Sequence, residues 1–237
     1  MTDVNGVPVI AIDGPSGAGK GAIAHRLAQA LGFHLLDSGA IYRLIGLRAH
    51  RHGVDLEDVA AVTAEARAMQ VSFLPTGQVS DPLQVLLDGQ DVSADIRTDA
   101  AGVRASRVAV IPNVREAVYD LQRDFARSPG LVADGRDMGT VVFQDAMVKI
   151  FLTASVEART ERRYNQLKDK GIGVNVHDLF ESIRERDQRD TERSVSPLVP
   201  AADAVILDST SLTIDEVYQR GLAMIEEKLG TDRSANS

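Results

Sequence analysis

The sequence contains no cysteine among its 237 residues. Disulfide bonds, thiolate metal sites and a cysteine nucleophile are therefore excluded. It also has no run of about 18 apolar residues, the length that a membrane-spanning helix requires. Its first residues lack the basic segment and apolar stretch of a signal peptide. We therefore expect a soluble, cytoplasmic protein with no membrane partner.

An excess of positive charge is also missing. The formal net charge is −8 at pH 7, whereas a generic nucleic-acid-binding protein is usually basic because it neutralises phosphates. We expect no nucleic-acid partner, and any anion site must be a local concentration of arginine and lysine. Hydrophobic residues make up 44% of the chain, enough for a substantial core. Nothing in the sequence requires more than a monomer.

Five short apolar runs are continuous rather than alternating, which is typical of strands buried on both faces of a parallel sheet. Patterns with helical spacing separate them and predict right-handed βαβ units. We therefore predict an α/β fold, with a doubly wound parallel sheet of five strands and helices on both faces. The runs are residues 8–13, 32–37, 130–134, 148–154 and 204–208.

The long interval between the second and third runs is too large for a single crossover. Within it, the apolar residues 84–87 precede Asp88-Gly89, a dipeptide that favours a hairpin turn. We predict a small antiparallel insert at residues 68–105, between core segments 1–67 and 106–237. In this fold class a short mobile lid is expected near residues 157–172.

A glycine-rich segment follows the first predicted strand and precedes a helical pattern. Its sequence matches G-x-x-x-x-G-K in the strand–loop–helix context that gives this motif its meaning. Backbone amides and the helix N-terminus would bind phosphates, and Lys20 would add a full charge at the β- and γ-phosphates. A glycine-rich turn without a ligand is the alternative. The predicted ATP-binding residues are Gly14, Pro15, Ser16, Gly17, Ala18, Gly19, Lys20, Gly21 and Ala22.

The two positions after Lys20 carry no hydroxyl group, since they are Gly21 and Ala22. A Ser or Thr there would help to hold Mg²⁺ or a phosphate. Placement of a metal ion would therefore depend on water and on other side chains such as Asp134.

Polar residues follow the second and third predicted strands, at the edge where doubly wound folds bind ligands. Arg43 could hold an acceptor phosphate, and Ser38 could contact the ligand or act as a helix N-cap. Asp134, Arg136 and Asp137 emerge together from a buried strand, which is costly unless they bind something or pair. An internal ion-pair turn is the alternative for these three.

Two arginine-rich segments follow in the second half of the chain. Arg186, Arg189, Asp190 and Arg193 would share one face of a helix, as an anion site or as a solvated charged surface. Residues 159–163 include Arg162 and Arg163, which could close over the ATP phosphates or pair with neighbouring glutamates at 157 and 161.

Several motifs in order resemble the bacterial cytidylate kinases, over residues 7–228. The resemblance implies an adenylate-kinase-like fold in which the insert binds the nucleoside monophosphate. It implies ATP as donor, CMP and dCMP as acceptors, and Mg²⁺ as cofactor. In most family members a Thr or Ser lies within two residues of the loop lysine, so Ala22 departs from the pattern. The motifs are residues 14–21, 36–43, 134–140 and 200–204, and Arg184-Glu185-Arg186-Asp187 with Asp190 and Arg193.

The resemblance also implies roles for individual residues. Asp137 would accept a hydrogen bond from the 4-amino group of cytosine, and uracil has a carbonyl there. Tyr42 would pack against the sugar or belong to the core. The residues expected to carry catalysis are Lys20, Arg136, Arg186 and Arg193, and Arg162 and Arg163 are expected at ATP. The CMP-binding residues are expected to be Ser38, Tyr42, Arg43, Ser106, Arg115, Asp134, Arg136, Asp137, Arg186 and Asp190.

Three other functions share some of these features. A regulatory NTPase would need a guanine-reading motif such as Asn-Lys-x-Asp, which the sequence lacks. A nucleotide-binding protein with weak activity, or a kinase for UMP, would carry much of the same pattern.

Overall fold

The computed structural model describes residues 6–76, 83–169 and 171–235. They form two compact units. The first comprises the described residues of Met1–Leu36 and Phe125–Ser237, and the second comprises those of Asp37–Asp124. None of the helices in the described part of the chain has the length and apolar character needed to cross a membrane.

The elements follow one another in the order strand, helix, strand that the sequence predicts for the core. The strands are β1 (Val9–Asp13), β2 (His34–Asp37), β3 (Val71–Pro75), β4 (Leu83–Leu87), β5 (Gln90–Asp91), β6 (Leu131–Gly135), β7 (Val148–Thr153) and β8 (Val205–Asp208). The helices are α1 (Lys20–Leu31), α2 (Ser38–Arg51), α3 (Val59–Ala68), α4 (Asp99–Val108), α5 (Pro112–Arg123), α6 (Val156–Asp169), α7 (Val176–Glu192) and α8 (Ile214–Ala235).

The five-stranded parallel sheet has the order β2-β6-β1-β7-β8. Strand β1 pairs in parallel with both β6 and β7, and β7 pairs in parallel with β8. Every residue of β1 and β6 is buried, and the two strands are apolar until Asp13 and Asp134 respectively. The predicted doubly wound α/β fold is confirmed.

Helices α1 and α8 complete the core of the first unit. Ile23 and Leu27 of α1 and Ile225 of α8 belong to the same buried cluster as Ile10 and Ile12 of β1. Full burial of each such side chain contributes roughly 1.5–3 kcal/mol. This packing holds the end of β1 and the start of α1, and therefore the loop between them, on a rigid base.

In the second unit, α2 packs against α4 and α3 packs against α5. The Asp37 carboxylate accepts a hydrogen bond of 3.0 Å from the Ala40 amide, so Asp37 caps α2. The alternative that Ser38 is the N-cap is wrong, because the helix begins one residue earlier than that pattern requires. Helix α3 was not predicted, since its sequence is rich in alanine and buries few large apolar groups.

Strands β3, β4 and β5 form the small antiparallel sheet predicted within residues 68–105. Residues 77–82 of this segment and residue 170 of the expected lid lie outside the described residues. The compact units divide at residues 36/37 and 124/125 rather than at the borders of the insert. The insert and the lid, as functional domains, remain predictions.

Candidate nucleotide site

The carboxyl ends of β1, β6, β7 and β8 lie along one edge of the sheet because these strands are parallel. Strand β1 lies between β6 and β7, where the strand order reverses direction. Doubly wound folds bind ligands at such a point. The segments that leave this edge are the loop 14–19, the turn 135–138, the start of α6 and the loop after β8.

The loop after β1 approaches the neighbouring strand closely. Gly14 has φ 148°, and a Cβ atom there would collide with the carbonyl oxygen of Leu152. Gly17 and Gly19 also have positive φ, at 80° and 99°. Glycine is the residue that adopts this backbone without strain, so the sequence Gly-x-x-Gly-x-Gly specifies the loop.

Lys20 is the first residue of α1 and is only 5% exposed. Its Nζ donates to the Pro15 carbonyl at 2.9 Å and lies 3.9 Å from Oδ1 of Asp134. Burial lowers the pKa of Lys20, and the positive charges of Arg136 and Arg186 lower it further. The carboxylates of Asp134 and Asp13 act in the opposite direction and raise this pKa. The buried ammonium group is therefore influenced by two arginines and two carboxylates, and a bound polyanion would stabilise its charged form further.

Asp13, the last residue of β1, is a buried carboxylate that sequence reasoning missed. It accepts hydrogen bonds from the amides of Met138 at 2.8 Å and Gly139 at 2.7 Å. Burial raises the pKa of Asp13 to about 6, against the lowering effect of these two bonds. The signal was present in the sequence as a charged residue at the end of a wholly apolar strand. By these bonds Asp13 fixes the π-helical turn Met138–Val142 that follows Asp137.

Arg136 leaves the carboxyl end of β6 and donates from Nε to Oδ2 of Asp190 at 2.9 Å. Two predicted acceptor-site residues are thus brought together, one from the end of β6 and one from α7. Asp190 lies on another element, so this ion pair is not confined to the turn after β6. Asp137, next in the chain, is 2% exposed.

Helix α7 ends at Glu192, so Arg193 lies beyond the helix as its C-cap. Its Nε donates to the carbonyl of Ser196. Arg189 is exposed and bonds the Glu185 carbonyl of its own helix. The prediction of one helical face from Arg186 to Arg193 is therefore wrong at its end, because the helix stops one residue before Arg193.

The arginines Arg159 and Arg162 of helix α6 have hydrogen-bond partners that the sequence did not predict. Arg162 donates to the backbone carbonyl of Ser209 and, at 3.2 Å, to its Oγ, rather than to either neighbouring glutamate. Arg159, which was not among the predicted site residues, forms a two-pronged ion pair with Asp187 of α7 at 2.9 and 2.5 Å. Sequence reasoning missed this pair because 28 residues separate its members.

The second unit holds the other expected acceptor residues. Tyr42 is buried, and the Arg115 guanidinium lies 5.5 Å from the centroid of its ring. Arg43 donates to the Ile96 carbonyl at 3.2 Å, and Ser106 bonds the Gly102 carbonyl of its own helix at 3.1 Å. Ser38 is buried at the start of α2. Burial of Tyr42 agrees with a core position, and its predicted role at the sugar stays a prediction.

Comparison with known proteins identifies the family of this chain. The family model for cytidylate kinase matches residues 10–227. A cytidylate kinase from Shewanella putrefaciens (strain CN-32 / ATCC BAA-453) is 55% identical over 224 residues, covering 94% of this chain and 97% of its own. One from Vibrio parahaemolyticus serotype O3:K6 is 54% identical over 222 residues, with the same coverage.

Among solved structures, a gluconokinase from Sinorhizobium meliloti 1021 aligns with 97% of each chain at TM-score 0.46 and 15% identity. The family assignment depends on the sequence relatives, whose identity extends over nearly the whole length of both chains. The chain belongs to the cytidylate kinase family.

Proposed function

We infer that the protein transfers the γ-phosphoryl group of ATP to CMP and dCMP, forming CDP and dCDP. The observation that carries this inference is the buried Lys20 in a glycine-rich loop, close enough to Arg136 and Arg186 for their charges to lower its pKa. Three cationic side chains near a glycine-rich loop suit a ligand that brings several negative charges. Membership of the cytidylate kinase family supplies the identity of the acceptor.

On the donor side, residues 14–22 bind the ATP phosphates through backbone amides, with Lys20 at the β- and γ-phosphates. Arg162 and Arg163 close over the phosphates, which requires Arg162 to exchange its bonds to Ser209 for the ligand. Closure excludes water and so suppresses hydrolysis of ATP.

On the acceptor side, Arg43, Arg136 and Arg186 bind the phosphate of CMP, and Asp190 binds the ribose. Asp137 accepts from the 4-amino group of cytosine, with Asp134 beside it and with Ser38, Tyr42, Ser106 and Arg115 around the nucleotide. A buried carboxylate at this position can distinguish cytosine from uracil. Cytosine presents an amine that donates to the carboxylate, whereas uracil would place a carbonyl oxygen against it.

The acceptor is already an ionised phosphate, so the reaction needs no strong general base. It needs the attacking oxygen in line with the bond that breaks, and neutralisation of the charge on the transferring group. Lys20, Arg136, Arg186 and Arg193 supply that positive charge.

Mg²⁺ is the proposed cofactor. No group of three or more metal-binding side chains occurs among the residues described. Magnesium, however, is commonly held by one or two carboxylates, water and substrate phosphates. The Asp134 carboxylate beside the loop fits this pattern, since its Oδ2 lies 3.5 Å from where a Cβ of Gly21 would be. When bound, Mg²⁺ would neutralise phosphate charge, and Asp134 would hold it through water.

We also propose a monomeric active form, because one chain carries all of the residues assigned to both substrates. Light scattering with size-exclusion chromatography tests this. The proposed substrates are cytoplasmic metabolites, so we place the reaction in the cytoplasm, and the net charge of −8 argues against a nucleic-acid partner.

The test is an assay of nucleoside diphosphate formation with ATP, Mg²⁺ and each nucleoside monophosphate in turn. We expect CDP and dCDP from CMP and dCMP, and far less product from UMP. Lys20→Ala is the control for contaminating kinase. CMP binding without turnover would indicate a binding protein instead, and a preference for UMP would indicate another pyrimidine kinase.

A further inference from the structure

Arg159 is a buried arginine that belongs to none of the assigned sets, at 3% exposure. Its Nε donates to the Ala154 carbonyl at 3.0 Å, at the junction of β7 and α6. One terminal nitrogen donates to the Ser16 carbonyl at 3.1 Å, within the loop after β1. Both terminal nitrogens bind Asp187 of α7. One guanidinium thus joins three segments of the chain.

The bond to Ser16 determines the direction of a loop amide. In a trans peptide the C=O and N–H groups point in opposite directions. The only cis peptide in the described residues is Ser128-Pro129, so the peptide from Ser16 to Gly17 is trans. Because Arg159 holds the Ser16 oxygen, the N–H of Gly17 points away from Arg159.

The neighbouring carbonyls of the loop are held in the same manner. Pro15 accepts from Lys20 at 2.9 Å, and Ala18 accepts from the Ser209 hydroxyl at 3.2 Å. By the same rule, the amides that follow these carbonyls, at Ser16 and Gly19, point away from those donors. Arg159 is the middle member of this series and contributes a charge-assisted bond, the stronger kind.

Asp187 determines where the Arg159 guanidinium lies. A planar guanidinium group that donates to both oxygens of a carboxylate has a fixed orientation, whereas the ammonium group of a lysine is a single point charge and has none. The Cβ of Arg159 also lies 3.4 Å from where a Cβ of Gly17 would be, so the stem of the side chain packs along the loop. The carboxylate therefore orients Arg159, and Arg159 orients the peptide.

We propose that Arg159, oriented by Asp187, is a positioning residue for the donor nucleotide, because it holds the Ser16 carbonyl so that the Gly17 amide is available to the phosphates of ATP. This proposal rests on the proposed function. The same helix, α7, then supports the donor loop through Asp187 and the acceptor site through Asp190.

The experiment uses the full chain and compares Arg159→Lys and Asp187→Asn with wild type. Isothermal titration with MgATP alone and with CMP alone gives the two affinities, and steady-state assays give kcat. Thermal unfolding monitors the fold. The matched control is the ion pair between the half-buried Glu181 and the exposed Arg184 on α7, 2.7 Å apart, changed to Glu181→Gln and Arg184→Ala.

For Arg159→Lys we expect the Kd for MgATP to rise about tenfold, the effect of losing one good hydrogen bond. We expect kcat to fall about 10- to 100-fold, the scale of a small misplacement of reacting groups. The affinity for CMP should be close to that of wild type, whereas the midpoint of unfolding should fall, because a buried bidentate ion pair is disrupted. Asp187→Asn should act in the same direction, and the double variant should be no worse than Arg159→Lys, because Asp187 acts through Arg159.

Unchanged affinity for MgATP in a folded Arg159→Lys variant would overturn the proposal. Equal losses of affinity for MgATP and CMP would also overturn it, since they would indicate a structural role alone. If Arg159→Lys does not fold, Asp187→Asn decides by the same criteria. A wild-type protein that binds MgATP but makes no CDP would refute the proposed function, and the MgATP affinities would still decide the role of Arg159.

Discussion

The Nε atom of Arg136, at the end of β6, lies 2.9 Å from Oδ2 of Asp190 on α7. Both side chains are mostly buried, with side-chain exposures of 20% and 14%. Removing one member of such a pair leaves the other charge poorly solvated. The pair therefore holds the orientation of an arginine that we assign to the acceptor phosphate.

We expect Asp190→Asn to raise the KM for CMP about tenfold, because Arg136 loses a charged partner and the ribose loses a carboxylate. Steady-state kinetics with varied CMP at saturating ATP measures this. The matched control on the same helix is Glu192→Gln, whose side chain accepts from Gln188 on the exposed surface. An unchanged KM for CMP in Asp190→Asn would contradict the assignment.

Asp13→Asn tests the buried carboxylate at the end of β1. The pKa of Asp13 is raised from 3.8 to about 6, so between these pH values the folded protein holds a proton that the unfolded chain has lost. The contribution of this group to stability is complete below pH 3.8 and is lost as the pH rises through about 6.

The asparagine variant has no such titration. The free energy of unfolding of wild type relative to Asp13→Asn should therefore fall by on the order of 2 kcal/mol between pH 4 and pH 7. Urea unfolding at a series of pH values measures the difference. Parallel curves for the two proteins would show that Asp13 titrates as it does in the unfolded chain.

Asp137→Ala tests how the base is selected. If the buried carboxylate accepts from the cytosine amine, its removal should lower the ratio of kcat/KM for CMP over UMP by about 10- to 100-fold. The loss should fall mainly on CMP, because UMP never made this bond. The exposed Asp145→Asn, on the same connection between β6 and β7, is the control. A variant that keeps its preference for CMP would refute the base-reading role.

Gly21→Ser tests the missing hydroxyl beside Lys20. Gly21 is exposed, and a Cβ there would make only ordinary contact with Asp134 at 3.5 Å. Replacing glycine within a helix should stabilise the protein by about 0.4–1 kcal/mol. The new hydroxyl should also lower the KM for MgATP, since it can help to hold the metal or a phosphate.

Gly21→Ala separates these two effects, because it changes the helix without adding a hydroxyl. We expect a higher unfolding midpoint in both variants and a lower KM for MgATP in the serine variant only. Equal values of KM in both variants would mean that the donor site works without a hydroxyl at this position.

The core of the fold could be predicted because its signals are local. Strands β1 and β6 are buried on both faces and therefore begin as continuous apolar runs, which end at Asp13 and Asp134. The loop 14–20 needs glycines at positions of positive φ, and these are visible in the sequence. Helix α3 was not predicted, since a helix with few buried apolar residues has little periodicity. The pattern places Arg193 on the face of α7, although the helix ends at Glu192, because charges at helical spacing continue beyond the helix.

The candidate site also has some features that local sequence determines and others that depend on tertiary packing. The sequence by itself determined the α/β class, the phosphate loop and the polar clusters after the strands, because each depends on residues close together in the chain. Only the tertiary structure showed that Asp13 binds the turn after Asp137, that Arg136 meets Asp190 and that Arg159 joins Ser16 to Asp187. These contacts join residues 28 to 143 positions apart. The packing of the strands and helices determines which residues form these contacts, and no local sequence pattern predicts that packing.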